Sequence, residues 1–213
     1  MTTLFLSAFV TLFVVIDPLG CGPIFAGLTA GASAAHRRAM AVRSTLVAAL
    51  VLILFSLFGE GFLHMLGIGL DAFRIAGGIM LFLIALEMVF EKRTQRRTER
   101  AEGVVRDAAE AHRPVEQEDI SVFPMAIPMI AGPGSIATVM LMTARAQTLE
   151  QSLIVVAALV AVMILMLISL LGAAVLMRLL GARLEATISR LLGVILAALA
   201  TQFVIDGVRA SFG

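Results

Sequence analysis

The sequence predicts an all-α, polytopic membrane protein of six transmembrane helices, arranged as two inverted three-helix repeats with broken helices 1 and 4. Three observations carry the membrane reading. Of the 213 residues 60% are hydrophobic and only 15% charged, where a soluble domain averages about a quarter charged. Segments 44–59, 120–144 and 152–177 contain no charged side chain, lengths close to or above the roughly 17 to 25 residues that cross a bilayer as a helix. Basic residues, finally, gather in alternate connections, as they do when one face of a membrane retains them.

Read against the charges between them, the apolar runs place spans at 3–30, 44–65, 72–90, 121–143, 151–177 and 188–209. The first contains Asp17-Pro18, and no basic residue precedes His36 and Arg37. A secretory signal has a basic start before an uninterrupted apolar core, so the small residues Ala32-Ser33-Ala34 are not read as a cleavage site and the span is kept. The connection after span 1 carries Arg37, Arg38 and Arg43, that after span 3 runs from Lys92 to Arg113 with seven basic residues, and that after span 5 carries Arg178, Arg183 and Arg190. The opposite side has only Arg74, Arg145 and Arg209. Both termini are therefore expected outside and the basic connections inside. Residues 91–120 are dense in both signs of charge and poor in apolar side chains, which predicts a cytoplasmic linker between a first repeat, 1–90, and a second, 121–213.

Net charge is +1, and the basic residues are spread over membrane connections rather than one soluble face, so no nucleic-acid partner is expected. A single cysteine, Cys21, excludes an intramolecular disulfide and a multi-cysteine zinc site. Neither a His-Glu-x-x-His nor a Gly-x-Ser-x-Gly pattern is present, and the chain is not expected to be an enzyme.

Prolines mark two special spans. Pro18 and Pro23 lie in span 1, and Pro124, Pro128 and Pro133 in span 4. Pro128-Met-Ile-Ala-Gly-Pro133 repeats the spacing of Pro18-Leu-Gly-Cys-Gly-Pro23, and Leu66-Gly-Ile-Gly-Leu-Asp-Ala72 is echoed by Leu180-Gly-Ala-Arg-Leu-Glu-Ala186. A duplicated unit of three spans must enter the membrane from opposite sides, which gives inverted repeats.

Proline inside a helix removes a hydrogen bond, and in lipid the freed groups need partners. The expected solution is a half-helix starting near Pro23 and another near Pro133, each exposing unpaired N–H groups at the positive end of a helix dipole. Such starts receive anions. Gly20, Gly22, Gly132 and Gly134 would let a ligand approach the backbone, Ile24 follows the first start, and Ser135 and Thr138 add hydroxyls at the second. Asp17, the one charged residue between Met1 and Arg37, has three open readings: a partner for a substrate ammonium group, a carrier of a coupling proton, or an N-cap for the following helix. Gln202 and Asp206, one turn apart, read as a structural pair.

The segments 17–25 (Asp-Pro-Leu-Gly-Cys-Gly-Pro-Ile-Phe), 73–78 (Phe-Arg-Ile-Ala-Gly-Gly), 123–136 (Phe-Pro-Met-Ala-Ile-Pro-Met-Ile-Ala-Gly-Pro-Gly-Ser-Ile) and 202–207 (Gln-Phe-Val-Ile-Asp-Gly) together resemble the MarC family over nearly the whole chain. That resemblance implies a six-span protein of the bacterial inner membrane and, as the substrate class, small neutral amino acids such as glycine or alanine. It also implies Asp or Asn at position 17, which weakens the proton-carrier reading. The combined expectation is a secondary transporter whose substrate site comprises Asp17, Gly20, Gly22, Ile24, Gly132, Gly134, Ser135 and Thr138. No cofactor or metal is expected, coupling to protons or Na+ is open, and so is homo-oligomerisation. The competing expectations are a non-transporting accessory protein and a passive channel.

Overall fold

The computed structural model of the chain describes residues 1–90, 99 and 119–212, except the side chains of residues 174, 176–183 and 185. Most of the predicted linker therefore lies outside the described residues. The described residues form helices joined by short connections, with no strand among them, and the fifth helix is a π-helix. The helices are α1 (Thr2–Ile16), α2 (Pro18–Leu28), α3 (Ala34–Met65), α4 (Leu70–Val89), α5 (Ser121–Ile130), α6 (Pro133–Ala144), α7 (Leu149–Leu171) and α8 (Ala173–Phe212).

Five of the resulting segments are long and apolar enough to cross a membrane, Thr2–Leu28 counting as one, and the bent pair α5–α6 makes a sixth. The pattern matches the predicted spans with two changes. Helix α3 starts at Ala34, where the Ser33 hydroxyl accepts from the His36 N–H, so the basic turn is part of the helix. Span 5 ends at Leu171, not at residue 177, because the chain turns at Gly172 and α8 begins. Nothing in the apolar run Ala173-Ala-Val-Leu-Met177 announces that turn. At about 1.5 Å per residue, α8's 40 residues reach roughly 60 Å, twice the hydrocarbon thickness. Among the described residues its part Ala186–Phe212 qualifies as a span.

Helix α1 is the central element. Its Ala8, Leu12 and Ile16 pack in one buried cluster with α2, α3, α5 and α7, while Val14 and Val15 pack in a second with α4, α6 and α8. Among lipid-facing helices the hydrophobic effect gives little association energy, so close packing has to supply it. The tightest case is α4 against α8. A Cβ at Gly78 would lie 2.8 Å from the Ala200 carbonyl oxygen, one at Gly193 3.1 Å from that of Ala85, and one at Gly207 2.9 Å from that of Asp71. Rising positions on α4 meet falling positions on α8, so the two run antiparallel, backbone to backbone.

Ion pairs tie both ends of the bundle. At one end Arg145 reaches Asp206 at 2.6 Å and lies 4.7 Å above the Phe203 ring, while the Gln202 amide donates to the same carboxylate at 2.7 Å. The pairing of Gln202 with Asp206 expected from their spacing is thus present. At the other end Arg43 pairs with Asp119, whose carboxylate also accepts the Ser121 N–H at 3.0 Å and so caps the start of α5. Burial alone would raise the Asp119 pKa, but hydrogen bonds from Ser121 and the charge of Arg43 outweigh it and hold the carboxyl below its ordinary value.

Candidate functional site: two helix starts inside the bundle

The first break falls at Asp17, not near Pro23. Asp17 takes the left-handed conformation, φ 59° and ψ 65°, so α1 stops at Ile16, and Pro18 at the first helical position starts α2. The Asp17 carboxylate accepts the Gly20 N–H at 3.0 Å, and the Cys21 N–H bonds the Asp17 carbonyl. Pro23 lies inside α2, so the N–H groups of Ile24 and Phe25 are not the free ones of a helix start. The N-cap reading of Asp17 is the one the geometry realises. The physical reason is local: a carboxylate three residues before Gly20 satisfies a start at Pro18, which leaves Pro23 in the second turn.

The second break falls where the sequence places it. Phe123 and Ile127 are extended, as residues before proline prefer to be, and the Phe123-Pro124 and Ile127-Pro128 peptides are cis. The turns of α5 are wide, with the Met125 N–H bonded to the Ile120 carbonyl and the Ala131 N–H to that of Ala126. After a bend of 55° α6 begins, with Gly132 as N-cap and Pro133 at its first position. No side chain caps this start. The Ile136 N–H bonds the Gly132 carbonyl, but no partner is found among the described residues for the N–H of Gly134 or Ser135. The Ser135 hydroxyl likewise makes no hydrogen bond among the described residues, although Ser135 is only 4% exposed.

The predicted glycines have structural occupants. A Cβ at Gly20 would fall 2.3 Å from Asp17 Oδ2, one at Gly132 2.5 Å from the Pro128 carbonyl oxygen, and one at Gly134 2.4 Å from Ile84 Cδ1. Each glycine thus admits a protein atom, where a ligand was expected. Gly22 and Ile24 are buried in α2. Ile24 packs in the cluster that also holds Met129, Ile130 and Ala131, just before Gly132. Thr138 is fully buried and donates to the Gly134 carbonyl at 2.7 Å, so its hydroxyl is used inside α6.

The two breaks are neighbours, because the end of α1 packs on α6, with Val15 Cγ1 3.7 Å from the Cβ position of Gly134. The negative, C-terminal end of one helix dipole therefore lies beside the positive start of another. Sequence reasoning missed one polar link at this place: the Ser169 hydroxyl of α7 donates to the Pro18 carbonyl at 2.5 Å and anchors the start of α2. A lone hydroxyl deep in an apolar span was the available signal.

These features define the class: a multi-pass, all-helical integral membrane protein with two adjacent interrupted helices at its centre. Comparison with known proteins makes this specific, since the model of the MarC family integral membrane proteins matches residues 2–212, and the chain belongs to that family. A UPF0056 membrane protein of Methanocaldococcus jannaschii is 34% identical, with 97% of each chain covered. One of Pyrococcus abyssi is 32% identical over 98% of this chain and 96% of its own. YvbG, a UPF0056 membrane protein of Bacillus subtilis, is 37% identical over 68% of this chain and 65% of its own. No solved structure matches.

Proposed function

We propose that this protein is a secondary carrier, not an enzyme, and that it moves a small neutral amino acid or similar zwitterion across the bacterial inner membrane, both termini outside. The observation that carries the reading is the buried, uncapped start of α6, where two N–H groups and the Ser135 hydroxyl have no partner among the described residues. The first N–H groups of a helix have no partner within it, and an anionic group arriving there satisfies them and meets the positive dipole end. A substrate carboxylate fits that chemistry. The adjacent end of α1, with the Asp17 carboxylate, supplies the negative side for an ammonium group. Asp17 thereby has a positioning role, through the cap it makes, and an electrostatic one. Access alternates by movement of two inverted halves about this site, powered by a gradient of protons or Na+ and needing no bound cofactor.

The test is counterflow of labelled glycine and alanine in proteoliposomes holding the full chain, with and without an imposed gradient. Saturable counterflow that Ser135→Ala weakens supports the reading. Flux that never saturates makes the protein a passive channel, and absence of flux from folded protein makes it an accessory protein.

A further inference from the structure

A second polar site lies away from the two breaks, at the bundle end that carries the basic turn of α3. There a cleft of about 160 Å³ opens between the last turn of α2, the first turns of α3 and the junction of α7 with α8, lined by Phe25, Thr29, Arg37, Arg38, Leu170 and Ala173. Arg37 and Arg38 are exposed, and neither makes an ion pair or hydrogen bond among the described residues. Their neighbour Arg43 is matched by Asp119. The starts of α3 at Ala34 and of α8 at Ala173 also border the cleft, adding two positive dipole ends. Thr29 uses its hydroxyl on the Phe25 carbonyl at 2.7 Å, so the charge in the cleft comes from the arginines.

Arg38 also borders a second, open groove along the outside of α3, lined besides by Ala39, Val42, Arg43, Leu46 and Val47. Val42 is 40% and Leu46 64% exposed, and Leu50 continues the same stripe at 59%. A charged cleft for an anionic head and an apolar groove of the kind an acyl chain covers thus meet at Arg38, which lines both. We infer that this face holds an anionic phospholipid, its phosphate clamped by Arg37 and Arg38 and one acyl chain lying along Val42, Leu46 and Leu50 of α3. Guanidinium groups bind phosphate through paired, charge-assisted hydrogen bonds, and basic pockets between membrane helices take such head groups. A soluble phosphate would use the cleft and leave the groove empty, so the groove is what selects lipid.

The measurement is lipid binding to the purified full chain, read as the concentration dependence of the thermal unfolding shift, with dioleoyl phosphatidylglycerol, dioleoyl phosphatidylcholine and inorganic phosphate as separate additions. Phosphatidylglycerol is expected to stabilise the protein beyond phosphatidylcholine, with phosphate alone giving no shift. Replacing both arginines (Arg37→Gln with Arg38→Gln) is expected to weaken the phosphatidylglycerol effect about tenfold, and Arg209→Gln, at the opposite end, to leave it unchanged. Leu46→Gln keeps both arginines and tests the groove independently, with a weaker response expected to long-chain phosphatidylglycerol only. Equal shifts from the two lipids, or a phosphatidylglycerol effect that survives loss of both arginines, would overturn the assignment. A full shift from phosphate alone would make the cleft a soluble-anion site and also overturn it.

Discussion

The starts of α2 and α6 share a proline at the first helical position and the same neighbourhood, yet they are finished in opposite ways. At α2 the chain supplies its own anion, since Asp17 folds back onto the Gly20 N–H. At α6 the N-cap residue cannot do so, because any side chain at position 132 would meet the Pro128 carbonyl oxygen. One helix start is closed by a carboxylate of the chain and the other has no side-chain cap. Two proline breaks therefore need not make two binding sites. Here one break positions the chain, and the other is the one on which the proposed site rests.

The largest effect that would break this comparison is expected from Gly132→Ala. Its Cβ would lie 2.5 Å from a backbone oxygen that no side-chain rotation can move, and overpacking of this kind costs about 1–3 kcal/mol. Thermal unfolding in detergent should show that loss, and an unchanged midpoint would mean that the α5–α6 turn is more yielding than its geometry. Next comes Asp17→Ala, which removes a helix cap worth about 0.5–2 kcal/mol and places alanine in the left-handed region. Asp17→Asn keeps an acceptor and tolerates that conformation, so its stability should match the wild type within about 0.5 kcal/mol. If Asn also preserves counterflow, the cap is the whole role of Asp17. A stable Asp17→Asn protein without counterflow would restore a role for the charge.

Ser135→Ala should leave stability nearly unchanged, because its hydroxyl has no partner to lose among the described residues, while substrate affinity falls about tenfold, the size of a hydrogen bond to a charged group. A destabilised variant with normal affinity would reverse the assignment of the open start. The smallest effect concerns Asp119, the cap of α5. Its pKa is lower folded than unfolded, so its contribution is present above the ordinary carboxylate range and is lost as pH falls through the folded value. Acid titration should show a step below about pH 4 in wild type that is absent in Asp119→Asn.

The spans were legible because hydropathy and charge act on whole segments, and single-residue errors do not move them. The start of α6 was legible from Gly132-Pro133, since proline suits a first helical turn. The start of α2 was misplaced because Gly22-Pro23 carries the same signal, and only the competing carboxylate of Asp17, three residues from Gly20, decides between them. The meaning of the glycines was not legible at all: whether a missing Cβ admits a ligand or a neighbour's atom depends on contacts such as Ile84 on Gly134. The Gly172 turn and the length of α8 were hidden by an apolar run that continues unbroken across them.

The seating of α4 on α8 has a consequence for biogenesis. Gly78 emerges from the ribosome more than a hundred residues before Ala200 and Val204, which cover it. Until then α4 waits in the bilayer with a bare backbone groove that lipid fills poorly. The seat of α4 therefore closes only after α8 is made, and a chain cut short before residue 200 would leave that groove uncovered.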